Sequence, residues 1–433
     1  MNQLRWTHLA AIGLVFGVLA CGGSGDNSSD IPSQAPTVVN VFPPPNESAA
    51  SAVAEISAAF DANMNSASAD SFTVFGSQTG KLSGIYTGGG TTALSFDPAA
   101  NFKPGEKIEV TLTQSLTSTG GVGLNQPNGY RFWVEAGAGT GIFFDVQTIS
   151  GQANAIALAA GDWEGDGDLD LAVANFGANQ VRILRNDGTG NYSVSSTITD
   201  QVGATGIVAG DWDGDGDLDL AAANSSSNSI TILKNDGTGV FMVFSIVSGF
   251  AGASALDSGD WDNDGDLDLA VANFGANTVA ILVNDGSGNF ATGSTVADMR
   301  GVRALIAGDW DNDGDLDLAV GNSGVNTVGI LNNDGAGAFT LASTIFGQAG
   351  VAGLDSGDWD GDGDLDAAVA NFSSNSISVL RNNGTGSFSL LSTIGGQFGI
   401  SALSAGDFNG DGVLDLAAAD NGSDSVHILT NQP

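Results

Sequence analysis

Six short stretches of this chain place a carboxylate at nearly every second residue. One reads Asp211-Trp212-Asp213-Gly214-Asp215-Gly216-Asp217-Leu218-Asp219. The same nine-residue pattern gives Asp162, Glu164, Asp166, Asp168 and Asp170 before it, then Asp260, Asp262, Asp264, Asp266 and Asp268, and Asp309, Asp311, Asp313, Asp315 and Asp317. It returns as Asp358, Asp360, Asp362, Asp364 and Asp366, and finally as Asp407, Asn409, Asp411, Val413 and Asp415. Asp and Gly favour turns, so plain solvated turns are one explanation. Electrostatics argues against it: 28 of the 49 acidic residues fall in these loops, and carboxylates this close repel unless a cation neutralises them.

The spacing suits Ca²⁺. That ion takes six to eight oxygens at about 2.3–2.6 Å, which carboxylates at positions one, three and five of a tight loop can supply, with position nine completing the shell. Position three varies among Glu164, Asp213 and Asn409 but keeps an oxygen. Position seven is expected to ligate through its carbonyl, because Val413 has no side-chain oxygen. Position six is Gly in every copy, as a backbone angle open mainly to Gly requires. Mg²⁺ fits less well, since its small octahedral shell is rarely filled by protein alone. An EF-hand would need Glu at position twelve, where Val173, Ala222, Val271, Val320, Val369 and Ala418 stand. About six calcium ions, one per loop, are expected.

What must position these loops is a repeat. The first Asp recurs every 49 residues, without insertion, from Asp162 to Asp407. Invariant spacing means one structural unit per repeat in contact with its neighbours. In the second repeat, strands are predicted over 203–210, 218–224, 229–234 and 240–247, separated by the acidic loop and Gly-rich or Ser-rich turns. Four strands make one propeller blade. The last repeat stops at its third strand, while 141–149 aligns with the fourth strand of the first repeat. The fold class is therefore all-β: a six-bladed propeller over 140–433, closed by an N-terminal strand at 140–150 that removes both sheet edges.

Before the array, 37–136 shows short β-branched runs parted by Pro and Gly, as an immunoglobulin-like β-sandwich would. Residues 21–36 are Gly, Ser, Asn and Pro, a flexible tether. Residues 1–20 carry Arg5 and an apolar run at 9–19, too short to span a bilayer permanently and typical of a signal peptide. The sole cysteine, Cys21, closes Val18-Leu19-Ala20-Cys21, which resembles a bacterial lipobox; ordinary secretion with a spare thiol is the alternative. The resemblance implies a lipid anchor at Cys21 in the cell envelope. Gly22 argues against retention at an inner membrane, which points to the outer membrane or cell surface.

The Asp-x-Asp-x-Asp-Gly-x-x-Asp loops, with Phe176-Gly177-Ala178 and Phe274-Gly275-Ala276 turns, resemble FG-GAP or VCBS repeats, as in the integrin α propeller. Phe60-Asp61-Ala62-Asn63-Met64 and Leu94-Ser95-Phe96-Asp97-Pro98 resemble bacterial Ig-like domains. These resemblances imply a calcium-stabilised, monomeric surface module for adhesion, recognition or scaffolding, with an extracellular protein or glycan as partner. Other repeats replace the Phe-Gly pair, for instance by Ser225-Ser226, which leaves the partner open. A formal charge of −38 excludes nucleic acid. The turns at 176–179, 225–228, 274–277, 323–326, 372–375 and 421–424, opposite the acidic loops, form the candidate binding face. The aromatic after each first Asp, such as Trp212, is read as packing between blades ahead of a sugar platform. No catalytic residue is expected: the chain beyond the leader holds one histidine, His427, and no repeat carries a pocket-building insertion. A calcium-dependent polysaccharide lyase or hydrolase is the alternative.

Overall fold

The computed structural model describes residues 35–134 and 152–431, apart from short gaps at 48–49, 69–70, 78, 104–105, 167–169, 188–191, 361, 363, 397–398, 407–414, 421–424 and 430. The expected leader, the tether up to residue 34, Cys21 and the closing strand lie outside the described residues, as do Asp168, Asp407, Asn409, Asp411, Val413 and the turn at 421–424.

The periodicity of each repeat becomes an antiparallel meander. In the second repeat the strands are Ala204–Gly210, Asp219–Asn224, Ser229–Asn235 and Phe241–Ser248, paired in that order. They match the expected strands to within a residue or so at each end. The first five repeats each make a four-stranded sheet, and the sixth contributes Ile400–Gly406, Asp415–Asp420 and Ser425–Leu429. With two more sheets near the N-terminus, the described residues are all-β, with seven four-stranded antiparallel sheets among them.

Burial explains the residue types. Successive first strands pack against one another, so they are rich in Ala and Gly: a Cβ at Gly206 would lie 3.4 Å from the Ala255 backbone. Second strands are sandwiched between neighbouring sheets and are buried at every position in repeats two to five. Fourth strands lie outermost and are largely exposed. The apolar clusters straddle repeats; one joins Trp163 of the first repeat to Leu218 and Phe241 of the second. Trp163, Trp212, Trp261 and Trp310 each meet a Phe of the next repeat edge-on at 5.5–5.8 Å between centroids. These indoles are 0–1% exposed, so they serve as packing and not as a sugar platform.

Near the N-terminus, one sheet (Val38–Phe42, Ile56–Phe60, Ala93–Pro98, Gly84–Thr87) and another (Gly80–Lys81, Phe72–Gly76, Lys107–Leu112, Asn128–Trp133) share a single core built on Ile56, Phe72, Phe96, Val110 and Phe132. Two helical turns, Phe176–Ala178 and Phe372–Ser374, complete the described elements.

Candidate metal centre

In the first five repeats the acidic loop joins the first strand to the second, and among the described residues its backbone wraps around its first Asp. Asp260 Oδ1 accepts the Asp264 N–H at 3.0 Å and Oδ2 accepts that of Gly265 at 2.9 Å. Asp309 does the same with Asp313 and Gly314, both at 3.2 Å. Such wrapping needs positive φ twice. Position six supplies it through Gly216 (98°), Gly265 (100°) and Gly314 (93°), and position four through Gly214 (70°), Asn263 (57°) and Asn312 (58°).

Position nine anchors the loop from the second strand. Asp219 Oδ2 accepts the Trp212 N–H at 3.2 Å, and Oδ1 accepts the Asn235 N–H at 2.8 Å. Asp268, Asp317 and Asp366 repeat both bonds.

The result is a convergent triplet of positions one, three and nine. Asp211, Asp213 and Asp219 each place an oxygen within 4.8 Å of the others, and so do Asp260, Asp262 and Asp268, then Asp309, Asp311 and Asp317, then Asp358, Asp360 and Asp366. Oxygens on opposite sides of a bound Ca²⁺ stand about 5 Å apart, so the spread fits a shared cation. Orphaned atoms support the fit: Asp213, Asp262 and Asp311 each have a buried Oδ1 without a hydrogen-bond partner. In two of these the other oxygen is held from outside, Asp213 Oδ2 by Lys234 Nζ at 2.6 Å and Asp311 Oδ2 by Asn332.

Positions five and seven do not join the triplets. Asp215, Asp264, Asp313 and Asp362 turn Oδ1 to the N–H of position seven, each at 3.0 Å. Asp315 and Asp364 each accept, at 2.8 Å, a bond from the position-four Asn of the preceding repeat, Asn263 or Asn312. In the first repeat Asp162 accepts the Asp166 N–H at 3.0 Å, Glu164 and Asp166 pair with Arg185, and Asp170 accepts the Asn186 N–H. Asp415 opens the second strand of the sixth repeat.

The electrostatics match a site that expects positive charge. Burial pushes Asp211 up to about 6, Asp309 and Asp219 to about 7 and Asp317 to about 9, with neighbouring carboxylates adding to it. Asp260 and Asp268 are driven well above the ordinary range for the same reason.

One residue escaped the reading of the sequence. Asn235, Asn284, Asn333, Asn382 and Asn431 each send Nδ2 to the Trp carbonyl of the preceding repeat at 2.7–2.8 Å. Asn235, Asn284, Asn333 and Asn382 also bond the position-eight Leu carbonyl of their own loop. The signal was one Asn per repeat at fixed phase.

These features define a propeller-like array of acidic-loop repeats. Residues 162–222, 211–271, 260–320, 309–369 and 358–418 match the FG-GAP-like repeat, together more than half of the chain, and the chain belongs to that family. Residues 32–134 match the bacterial Ig-like domain. No curated protein matches. Solved structures similar to it include a protein from Lactobacillus plantarum (14% identity, TM-score 0.45, covering 83% of this chain and 95% of that one). An auxiliary nutrient binding protein from Bacteroides ovatus aligns at 11% identity and TM-score 0.43, covering 93% and 99%. The Pseudomonas aeruginosa periplasmic gluconolactonase aligns at 14% and 0.44, covering 83% and 99%.

Proposed function

We propose that this chain is a calcium-stabilised, non-catalytic recognition module of the bacterial cell surface, acting in adhesion or scaffolding. The repeats form a six-bladed ring, the Ig-like domain is a β-sandwich, and Cys21 carries the lipid that anchors it. The observation that carries this reading is the repeated carboxylate triplet. Its position-nine Asp is fully buried, held by two backbone N–H groups and set between repeats, where a cation stiffens the array instead of meeting a substrate.

Recognition then falls to the opposite face. Between the third and fourth repeats it carries a cleft of about 810 Å³ lined by Phe274, Asn277, Asp298 and Arg300 among others, with the Arg303 guanidinium 5.4 Å above the Phe274 ring. Arg300 and Arg303 break the repeat symmetry; the flanking repeats hold Ala251 and Ser254, and Ala349 and Ala352, at these phases. Arginine beside an aromatic face suits a carboxylate-bearing saccharide or an acidic protein loop. Glycan and extracellular-matrix arrays probed with the native chain and an R300S/R303S variant test the reading. Binding that needs both arginines supports it; substrate turnover, or binding indifferent to the arginines, sinks this assignment.

A further inference from the structure

We infer that the Ig-like domain is a metal-dependent clasp on the acidic-loop face, docked through the loops of repeats two to four. The inference rests on the metal reading above and concerns what that metal holds in place.

The contacts follow the repeat. At the second loop, the Lys81 N–H donates to Asp211 Oδ2 at 3.2 Å, and a Cβ on Gly80 would lie 2.9 Å from the Gly216 carbonyl oxygen. At the third, the Asp260 N–H donates to Glu109 Oε1 at 2.7 Å, while the Thr73 and Thr113 methyls crowd Gly265. At the fourth, the Gly129 N–H donates to the Gly314 carbonyl at 3.0 Å, and Asn46 Nδ2 to that of Asp309 at 3.4 Å. At Gly265 and Gly314 the position-six glycine therefore serves a second purpose, since a side chain there would press on Thr73 and Thr113 or on Asn128 of the domain.

Charge is matched to the same face. Of the domain's four basic residues, two, Lys103 and Arg131, reach the array with their charged groups. Lys103 Nζ lies 3.9 Å from Asp162 Oδ2. The Arg131–Glu109 pair, 2.7 Å apart and buried, reaches the Ser258 and Ala307 carbonyls, both at 3.4 Å. Burial and the neighbouring Arg131 lower the Lys107 pKa, against which Asp257 and Asp355 on the first strands favour its charge. Lys81 joins through its backbone N–H to Asp211, as above. Asp211, Asp260 and Asp309, beneath the domain, are 1–2% exposed, whereas Asp358 of the fifth loop is only half-buried.

Asp211, Asp260 and Asp309 thus belong at once to the carboxylate triplets and to the docking surface. A cation that draws each triplet together fixes the loop backbone on which the domain sits; three mutually repelling carboxylates push that backbone apart.

Hydrogen exchange of the full chain, in calcium and in chelator, reads this directly at the Lys81, Gly129 and Asp260 amides. These amides should be protected in calcium and lose protection in chelator, while second-strand amides of the repeats stay protected. In calcium, D260N should deprotect the same amides and D358N should not, although each removes one triplet carboxylate. Metal content measured on the same samples separates the two ideas. Calcium uptake with unchanged protection, equal effects of D260N and D358N, or release only as the repeats themselves exchange, overturns the clasp and leaves the metal sites standing. No uptake overturns both.

Discussion

The position-nine aspartate is where the physics is most concentrated. Its two oxygens satisfy two buried backbone donors, and only a cation or a proton relieves its burial beside other carboxylates. Replacing Asp268 by Ala leaves the Trp261 and Asn284 N–H groups without acceptors, which costs about 1–3 kcal/mol each. Urea unfolding in chelator, where no metal contributes, should show a loss of about 2–6 kcal/mol. Titration gives a second test. With Asp219 and Asp317 raised to about 7 and 9, the folded metal-free chain holds protons that the unfolded chain, titrating near pH 4, has released. Their contribution is complete below about pH 4 and is lost as pH rises through 7 to 9. Melting points in chelator should therefore fall across that window, and a flat or rising profile would contradict the burial argument. Calcium competes with those protons, so its affinity should rise over the same range.

At the scale of the element, strands were legible because alternation and turn residues are local signals. In the second repeat Ser229–Asn235 and Phe241–Ser248 fall where period and turns placed them. The acidic loop was legible as a motif but not in its division of labour. Positions one, three and nine converge, while five and seven serve backbone and neighbouring-repeat bonds, and which way a carboxylate turns depends on the positive φ of positions four and six. Asn333 was silent because its partner, the Trp261 carbonyl, lies 72 residues away. Asn333→Ala breaks two buried bonds, to Trp261 and Leu316, and should cost about 1–3 kcal/mol. Neighbouring repeats should lose cooperativity, seen as a broadened denaturation curve.

For the whole molecule, the −38 charge and 49-residue period pointed to a cation-bound array, and the family match bears out the repeat. Hidden from any linear reading was the face on which the Ig-like domain would rest, because its contacts pair Gly129 with Gly314 and Glu109 with Asp260 across the chain. Net charge carries its own prediction. In chelator, moving from about 0.01 to 0.15 M ionic strength shortens the screening length from about 30 to 8 Å, relieves self-repulsion and should raise the melting point. In calcium the same change should matter far less.

On the function proposed above, divalent cations hold the carboxylate triplets together. Calorimetric melting of the full chain with calcium and with chelator measures whether they do. Calcium at a hundredfold excess over its dissociation constant should add about 2.7 kcal/mol per independent site and raise the transition accordingly. Superimposable transitions in the two conditions would mean that no cation stabilises the fold.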